Sequence, residues 1–414
     1  MFGRFKNIRE GFAKVGPSSS PTSKKVISPP LGSTKTLSSS TMTSASTSRA
    51  VEMESEREDT PEHEGDGVET AQLRSPNERV YLHYSWTPPS TPDTLASLIT
   101  IEAPPLPPKP EGWTRFVCIS DTHSMTFPVP DGDVLLHSGD LTNTGTLFDF
   151  QKTTTWLMGL PHRHKIIIAG NHDLTLHTDD GWYDNNYDRW HWTKGKQDVK
   201  AIRRLLTGPE ANAAGIVYLQ DEDYEFQTVD GGRIWSVYGS PWSPAFFGWA
   251  FNYPREEGKE LVEGFPKVDI LLTHGPAFGI FDRTRGGDDA GCEDLRSRLT
   301  ELRPRIHLAG HIHEARGAHI HTWDPQNNYE APLVQYDAVM QDYAPDLEDE
   351  DLNLVLEGED VSGDAQEEEN SEGVERTVFV NAANYPAGKR ANKAGRAIRF
   401  GEYGFQPVVV DLKD

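Results

Sequence analysis

Five short apolar runs in this sequence each end on a residue type that binds metal ions. The runs are continuous rather than alternating in polarity, which is typical of strands buried on both faces. Because parallel strands present their carboxyl ends at one edge of a sheet, side chains at those ends gather in one crevice. The runs are RFVCISD (115–121), DVLLHSGD (133–140), KIIIAGN (165–171), VDILLTH (268–274) and RIHLAGH (305–311). Their last residues are Asp121, Asp140, Asn171, His274 and His311.

Two of these terminal residues have a second metal-binding side chain two positions later. His123 follows Asp121, and His313 follows His311. The donors are oxygen and nitrogen without a thiolate, so they favour Mn²⁺, Fe²⁺/Fe³⁺ or Zn²⁺ over Cu(I) or an iron–sulfur cluster. Seven ligands exceed the needs of one ion and suit two divalent ions about 3.5–4 Å apart that share a carboxylate. The pattern therefore predicts a dinuclear metal site.

The rest of the pattern predicts an α/β fold. Strands that alternate with helical patterns indicate a layered α/β domain. Residues 215–242 instead predict a β-hairpin with a turn at 230–232, which together with later strands would supply a second sheet. The helical segments are 147–157, 199–206 and 292–302, and the later strands are 376–383, 397–400 and 407–412. We expect a four-layer αββα sandwich of two mixed β-sheets flanked by helices.

Composition divides the chain into folded and disordered parts. A disordered arm rich in Ser, Thr, Pro and Glu is expected over residues 1–79, and a folded domain over 80–414. The domain is interrupted at about 342–375 by an insertion with 15 acidic and no basic residues, also expected to be disordered. The net charge of −24 argues against nucleic-acid binding.

Cysteine content and hydropathy indicate the compartment. Two cysteines are too few for a disulfide framework, and no apolar stretch reaches the length of a transmembrane segment. We therefore expect a cytoplasmic protein. Residues 1–50 hold eight Lys or Arg and one acidic residue amid many Ser and Thr, which leaves a mitochondrial location as the alternative.

The motifs around the seven ligands resemble those of the calcineurin-like metallophosphoesterase superfamily. The matching blocks, in order, are D-x-H at 121–123, G-D at 139–140, G-N-H-D at 170–173, a lone His274 and G-H-x-H at 310–313. The connecting segments IAGNHD, YGSPWSP, WAFN, THGPAFGI and GHIHEARG are similar to the metallophosphoesterase-domain-containing proteins, a group related to class III cyclic-nucleotide phosphodiesterases. The resemblance covers roughly residues 80–414 apart from the acidic insertion.

The resemblance implies a role for each matched residue. The first metal would be held by Asp121, His123 and His313, the second by Asn171, His274 and His311, with Asp140 bridging both. A metal-bridging hydroxide would then attack phosphorus. His172 would face the substrate and stabilise its oxygens or protonate the leaving oxygen. Asp173 would either orient His172 or cap the segment that follows.

The expected partner is a small phosphoester, and the resemblance favours phosphodiesters, with cyclic nucleotides among them. Phosphoprotein phosphatases of the superfamily carry arginines in the second and third blocks, whereas GDLTNTG and AGNHD lack them, which disfavours phosphoserine and phosphothreonine. RNA-lariat debranching enzymes replace the first Asp by Cys, whereas this chain has Asp121. The alternatives are a phosphomonoesterase of small molecules and a non-catalytic scaffold, and the complete ligand set argues against the scaffold.

Other aromatic and histidine residues are expected to be structural. The aromatic cluster that follows YGSP is expected to belong to the core rather than to a base-stacking pocket. The segment 178–195 is expected to be a solvated decoration, although its position after G-N-H-D could place it at the rim of the site. The cluster consists of Trp242, Phe246, Phe247, Trp249 and Phe251, and the structural histidines are His137, His162, His164, His307, His319 and His321.

Overall fold

The computed structural model describes residues 70–84, 106–190, 193, 195–335, 374–388, 391–393, 396–402 and 404–414. The strands are β1 (Thr70–Arg74), β2 (Glu78–Tyr84), β3 (Trp113–Ile119), β4 (Val134–Ser138), β5 (His164–Ile168), β6 (Ile216–Leu219), β7 (Glu222–Phe226), β8 (Trp235–Ser240), β9 (Ser243–Pro244), β10 (Asn252–Tyr253), β11 (Ile270–Thr273), β12 (Ile306–Ala309), β13 (Gly317–Thr322), β14 (Arg376–Asn381), β15 (Asn392–Lys393), β16 (Arg396–Ala397) and β17 (Val408–Lys413). The α-helices are α1 (Leu147–Gly159), α2 (Trp182–Asn186), α3 (Val199–Thr207), α4 (Pro209–Ala213), α5 (Gly258–Glu263) and α6 (Glu293–Leu302).

Two large mixed sheets form the centre of the fold. The first sheet has the order β1-β2-β17-β3-β4-β5-β6, with parallel pairing from β3 to β6 and antiparallel pairing among β1, β2, β17 and β3. The second sheet has the order β13-β14-β12-β11-β8-β7, parallel from β14 to β8 and antiparallel at both edges. The parallel strands of each sheet therefore end at a common edge.

Each central strand is buried on both faces because its neighbouring residues enter different hydrophobic layers. In β3, Phe116 and Cys118 pack between the two sheets, whereas Val117 and Ile119 face the helical layer that contains α1 and α3. In β11, Leu272 lies between the sheets and Leu271 faces α5 and α6. This alternation explains why the strands appear as continuous apolar runs in the sequence.

Local capping fixes where the helices begin. Thr146 Oγ1 accepts a hydrogen bond from the backbone N–H of Asp149 at the start of α1, at 3.1 Å. Asp198 accepts one from the N–H of Ala201 at the start of α3, at 3.0 Å. A side-chain acceptor at the N-cap satisfies a backbone donor that has no partner within the helix. Both helices then present buried apolar residues to the outer face of the first sheet.

The predicted α/β class and its four layers are confirmed. The five apolar runs form strands, and the three predicted helices form α1, α3 and α6. The predicted composition of the second sheet is wrong in part. Three of the five runs belong to the first sheet and two, β11 and β12, to the second, while β6 and β17 belong to the first. Residues 397–400 contribute only Ala397 to the small β15–β16 ribbon. Apolar runs in strands buried on both faces look alike, so the pattern does not indicate which sheet a strand joins.

The beginning of the folded part also differs from the prediction. Strand β1 and the start of β2 lie within residues 70–79, which are part of the predicted disordered arm. These strands form the edge of the first sheet and are rich in polar residues, so they lack the continuous apolar run of a central strand. The rest of the predicted arm, and residues 342–373 of the predicted acidic insertion, lie outside the described residues. No helix in the described part is long and apolar enough to span a membrane.

Candidate metal centre

The ends of five parallel strands bring the predicted ligands to one edge of the two sheets. The ligands from the first sheet follow β3, β4 and β5, and those from the second sheet follow β11 and β12. Hydrogen bonds connect the loops that carry them: Asp121 N–H donates to Gly139 O at 2.9 Å, and Gly310 N–H donates to His274 O at 3.0 Å. The site therefore lies where the two sheets meet.

Four of the predicted ligands form a compact cluster of donor atoms. Asp121, His123, Asp140 and His313 each offer a ligand atom, and these atoms lie within 4.8 Å of one another. His313 Nε2 is 3.1 Å from Asp121 Oδ1, and His123 Nε2 is 3.3 Å from His313 Nε2. The two carboxylates are almost completely buried. Two buried carboxylates beside two imidazoles form a donor set that suits a divalent cation.

The other three predicted ligands lie beside this cluster. His274 Nε2 is 2.9 Å from Asn171 Oδ1, and the rings of His274 and His311 are 4.9 Å apart. Nδ1 of His274 is 2.9 Å from the carbonyl oxygen of Ser138, which can only accept, so Nδ1 carries the proton. In the neutral ring Nε2 then presents a lone pair toward the amide oxygen of Asn171. A cation between two such acceptors would stabilise this arrangement, so the residues fit a metal ion.

Asp140 lies between the two groups of ligands. Its Oδ2 is 3.7 Å from His123 Nε2, and its Oδ1 is 3.5 Å from His274 Nε2. One carboxylate oxygen thus faces each group, which is the geometry expected of a ligand shared by two ions. Gly170 allows this approach, because a Cβ at that position would overlap both the carboxylate and the backbone nitrogen of Asp140.

Several of the predicted ligands have a positive φ, a backbone conformation that residues other than glycine seldom adopt. The φ angles are 53° at Asp121, 45° at His123, 52° at Asp140 and 67° at His311. Each such residue costs about 1–3 kcal/mol and persists only where the surrounding structure enforces it. Strain of this kind clusters at functional sites, and all four of these residues belong to the predicted ligand set.

The electrostatics of the cluster keep donor atoms available. Burial lowers the pKa of His123 well below its ordinary value and that of His311 to about 3, so both rings are neutral at pH 7. Burial opposes ionisation of Asp121, but the hydrogen bond and charge of His313 outweigh it and hold the pKa of Asp121 below its usual range. The same contact raises the pKa of His313 despite burial. Neutral imidazoles and ionised carboxylates are the forms that bind metals, so His123, His311 and Asp121 are ready to bind, whereas a cation would have to displace any proton that His313 holds beside Asp121.

His172 lies at the surface of the site. Its backbone N–H donates to Asp140 Oδ1 at 2.8 Å, and its Nδ1 is 2.7 Å from the carbonyl oxygen of Asn143. The ring stacks on Trp249 with centroids 4.3 Å apart, and it meets the ring of His123 edge-on at 4.7 Å. Because Nδ1 must donate to the carbonyl oxygen, Nε2 is the nitrogen left for a substrate.

Asp173 is a buried residue of the scaffold beneath the ligands. Its carboxylate accepts hydrogen bonds from the backbone N–H groups of Gly170, Leu141 and Thr142 at 2.9–3.0 Å, and from Thr142 Oγ1 at 2.7 Å. It therefore joins the loops that follow β4 and β5. Asp173 occupies the N-cap position of the short 3₁₀ helix Leu174–Leu176, but its side chain makes no capping hydrogen bond there. These contacts support neither predicted role, orienting His172 or capping.

Within the described part of the segment 178–195, aromatic side chains pack against the protein, so the prediction of a solvated decoration is wrong for these residues. Tyr183 and Trp190 in this segment are 3% and 6% exposed and join the core on the helical side of the first sheet. The ring of Trp190 lies 5.2 Å from that of Trp249, which in turn supports His172. The several aromatic residues of the segment were the signal that it is buried.

The predicted core position of the aromatic cluster holds for only part of it. Phe251 is fully buried, and Trp242 and Trp249 are partly buried, whereas Phe246 and Phe247 are 54% and 80% exposed. The motifs did not indicate Tyr385, whose ring lies 5.2 Å from that of His123. Tyr385 follows β14, a strand of the second sheet that ends at the site, and this position was the available signal.

Comparisons with known proteins agree with the site. The family model described as calcineurin-like phosphoesterase matches residues 114–315. Metallophosphoesterase domain-containing protein 1 of Homo sapiens is 41% identical over 226 residues, which cover 51% of this chain and 64% of the human protein. A UPF0046 protein of Caenorhabditis elegans is 33% identical over 220 residues, which cover 50% of this chain and 71% of the worm protein. This chain thus matches just under two thirds of the length of the human relative. The predicted resemblance is confirmed: the chain belongs to the calcineurin-like phosphoesterase family.

Proposed function

We propose that this chain is a metal-dependent hydrolase that cleaves phosphodiesters at a site for two divalent ions, Mn²⁺, Fe²⁺/Fe³⁺ or Zn²⁺. The observation that carries the proposal is the position of Asp140, with one carboxylate oxygen toward His123 and the other toward His274. Such a shared carboxylate is a feature of two-metal phosphoesterase sites. The family membership supports the proposed reaction class, hydrolysis of a phosphoester.

The ligand groups divide between the two ions. The first ion would bind Asp121, His123 and His313, the second Asn171, His274 and His311, and Asp140 would bind both. Bound ions would supply positive charge for the phosphate oxygens and lower the pKa of water that attacks phosphorus. The protein fixes the donor atoms in place through its loop hydrogen bonds and its strained backbone.

His172 is the residue we propose to act on the substrate. The contact with the carbonyl oxygen of Asn143 holds the ring through Nδ1, and the stack on Trp249 limits its rotation. When protonated, Nε2 can donate to a phosphate oxygen or to the leaving oxygen. A proton on the leaving oxygen matters most when the alcohol released is a weak acid.

The proposed preference for a phosphodiester substrate rests on similarity to the metallophosphoesterase-domain-containing proteins. Among phosphodiesters, we propose a cyclic nucleotide as the substrate. The arginine clamps of phosphoprotein phosphatases have no counterpart in GDLTNTG or AGNHD. Without these bidentate donors a dianionic phosphomonoester would be held less firmly than in the phosphatases. We place the reaction in the cytoplasm, as the low cysteine content favours a reducing compartment.

The test combines metal content with hydrolysis of bis-p-nitrophenyl phosphate by the full chain. We expect two bound ions per chain after loading with Mn²⁺, and hydrolysis that needs the metal. Asp140→Asn should reduce turnover by more than the ~10–100-fold typical of residues that only support a ligand. Asp230→Asn is the matched control, because this side chain is 97% exposed and its neighbour is Arg163 on the surface.

Two results would contradict the proposal. Turnover that is equal with and without metal, or unaffected by Asp140→Asn, would exclude the two-metal mechanism. Near-zero bound metal after loading with Mn²⁺ and with Zn²⁺ would favour the non-catalytic scaffold. Comparison of bis-p-nitrophenyl phosphate with p-nitrophenyl phosphate then separates diester from monoester preference.

A further inference from the structure

Two phenylalanines beside the metal centre are largely exposed to solvent. Phe246 and Phe247 are 54% and 80% exposed, and their ring centroids are 4.5 Å apart. The ring of Phe246 meets the ring of His311 edge-on, with centroids 6.4 Å apart. Burial of these two aromatic side chains would stabilise the protein, and their exposure loses that free energy. Neighbouring exposed aromatic residues at a site therefore often mark a binding surface.

A third exposed aromatic residue borders the other group of ligands. Tyr385 is 41% exposed, and its ring lies 5.2 Å from that of His123 and 4.9 Å from that of His313. Aromatic side chains therefore stand next to ligands of both proposed ions. A phosphate held at the ligands would place the group attached to it within reach of these rings.

The protein holds the two phenylalanines in their exposed position. Phe247 has a φ of 51°, a conformation that a bulky residue adopts only under constraint. Arg189 Nη1 donates to Gly248 O at 2.9 Å, and Phe246 N–H donates to Asn252 Oδ1 at 3.0 Å. The exposure of the rings is therefore built into the loop.

The base of the same loop is fixed by aromatic packing. Phe251 N–H donates to His177 Nδ1 at 2.9 Å, and the two rings stack with centroids 4.7 Å apart. Trp182 stacks on the same imidazole ring, also at 4.7 Å. Because the loop is anchored at its tip and at its base, little conformational entropy is lost when a ligand binds against it.

We propose that Phe246, Phe247 and Tyr385 form an aromatic subsite that binds a planar aromatic ring of the phosphoester substrate, such as a nucleobase. The inference rests on the proposed function, because the position of the subsite is defined relative to a phosphate at the metal ligands. Base stacking on aromatic side chains depends on ring faces and tolerates different bases. The subsite therefore selects for an aromatic group attached to the phosphate without reading one particular base.

The subsite is tested by comparing the binding of two ribose phosphates, one with a nucleobase and one without. The probes are adenosine 5′-monophosphate and ribose 5-phosphate, titrated calorimetrically into the full chain loaded with Mn²⁺. We expect the wild type to bind the nucleotide about tenfold more tightly, as base–aromatic stacking allows. In the double variant Phe246→Ala/Phe247→Ala the ratio of the two Kd values should fall below about threefold, with the Kd of ribose 5-phosphate unchanged.

Ile234→Ala is the control variant. Ile234 is a 59% exposed apolar residue directly before β8, at the end of the second sheet away from the metal ligands. It should retain the wild-type ratio. A wild type with no preference for the nucleotide, no binding of either probe, or a double variant that keeps the full preference would each overturn the inference.

The same experiment separates this inference from the proposed function. Metal-dependent hydrolysis of bis-p-nitrophenyl phosphate without a ring preference would leave the proposed function and remove the subsite. A ring preference without metal-dependent hydrolysis would leave a nucleotide-binding site and remove the catalytic proposal. The ratio in the wild type needs no variant, so a folding defect in the double variant cannot obscure the outcome.

Discussion

Gly170, beside the candidate metal site, has no space for a side chain, whereas Gly159 has ample space. A Cβ at Gly170 would overlap the backbone nitrogen of Asp140, whereas a Cβ at Gly159 would meet no heavy atom within 4 Å. Gly170→Ala must therefore displace the proposed bridging ligand, and overpacking of this kind costs about 1–3 kcal/mol. We expect this variant to lose bound metal and to unfold at a lower temperature than the wild type.

Gly159→Ala is the control for this prediction. Gly159 is the last residue of α1, and alanine there should leave metal content unchanged and stability equal or up to ~1 kcal/mol higher. Metal analysis and thermal unfolding of both variants provide the check. Wild-type metal content in Gly170→Ala would show that the close packing against Asp140 is not needed for the site.

The position of His172 predicts how its loss depends on the leaving group. If its Nε2 protonates the leaving oxygen, His172→Ala should reduce kcat by about 10²–10⁴-fold for a diester that releases an aliphatic alcohol. The loss should be much smaller for bis-p-nitrophenyl phosphate, because p-nitrophenolate leaves without a proton. Bound metal should remain, since the proposed metal ligands are intact.

The control for His172 is His164→Ala, at the opposite end of β5 from the site. It should leave kcat unchanged for both diesters. An equal loss in His172→Ala for both leaving groups would exclude proton donation and favour stabilisation of the phosphate oxygens instead.

At the scale of elements, the connection between α1 and β5 contains a buried histidine that couples stability to pH. His162 is 2% exposed, its Nε2 donates to Pro130 O at 3.1 Å, and its Nδ1 is buried without a hydrogen-bond partner. Burial and the neighbouring Lys165 lower the pKa of His162 to about 4. In the unfolded chain this pKa returns to about 6.5, so the unfolded state binds the proton more readily.

This difference destabilises the folded protein in acid. Stability is unaffected above pH 6.5 and falls as the pH decreases from 6.5 toward 4, by about 1–2 kcal/mol between pH 7 and pH 5. In His162→Gln, which keeps a donor for Pro130 O, this part of the loss should disappear. Urea unfolding at pH 7 and pH 5 measures it, with Asp230→Asn, whose side chain is 97% exposed, as the control. Parallel losses in His162→Gln and the wild type would rule out His162 as the origin.

The elements also show where sequence patterns suffice and where they do not. Central strands such as β3 and β11 are evident from their apolar runs, because burial on both faces requires apolar residues throughout. The polar edge strand β1 carries no such signal. Membership of β17 in the first sheet depends on pairing with β2 and β3, which is decided by contacts distant in sequence.

The same distinction applies to the candidate site. The choice of candidate ligands follows from their places at strand ends, which a sequence records directly. The left-handed backbone conformation of Asp121 and Asp140 cannot be predicted from the sequence. Aspartate seldom adopts it, and only the surrounding loops impose it. The exposure of Phe246 and Phe247 cannot be predicted either, because it depends on the anchoring of their loop by Arg189 and His177.

At the scale of the whole molecule, the candidate site connects the two sheets. Asp140 follows a strand of the first sheet, whereas His274 and His311 follow strands of the second. Direct contacts already cross this junction: Ser138 Oγ donates to Thr273 O at 2.5 Å, and His274 Nδ1 donates to Ser138 O at 2.9 Å. Metal bound here would hold both sheets of the sandwich together.

Metal removal should therefore destabilise the entire fold and not a single loop. A ligand present at about 1,000 times its Kd stabilises the folded state by about 4 kcal/mol, and each kcal/mol changes Tm by about 2–4 °C in a domain of 150–250 residues. We expect the full chain to unfold about 10 °C lower in excess chelator than with Mn²⁺, in one cooperative transition. In Asp140→Asn the difference should nearly vanish, whereas Asp230→Asn should retain it. Equal Tm values of the wild type with Mn²⁺ and with chelator would contradict a metal site that joins the sheets, because ligands drawn from both sheets make metal binding and folding one equilibrium.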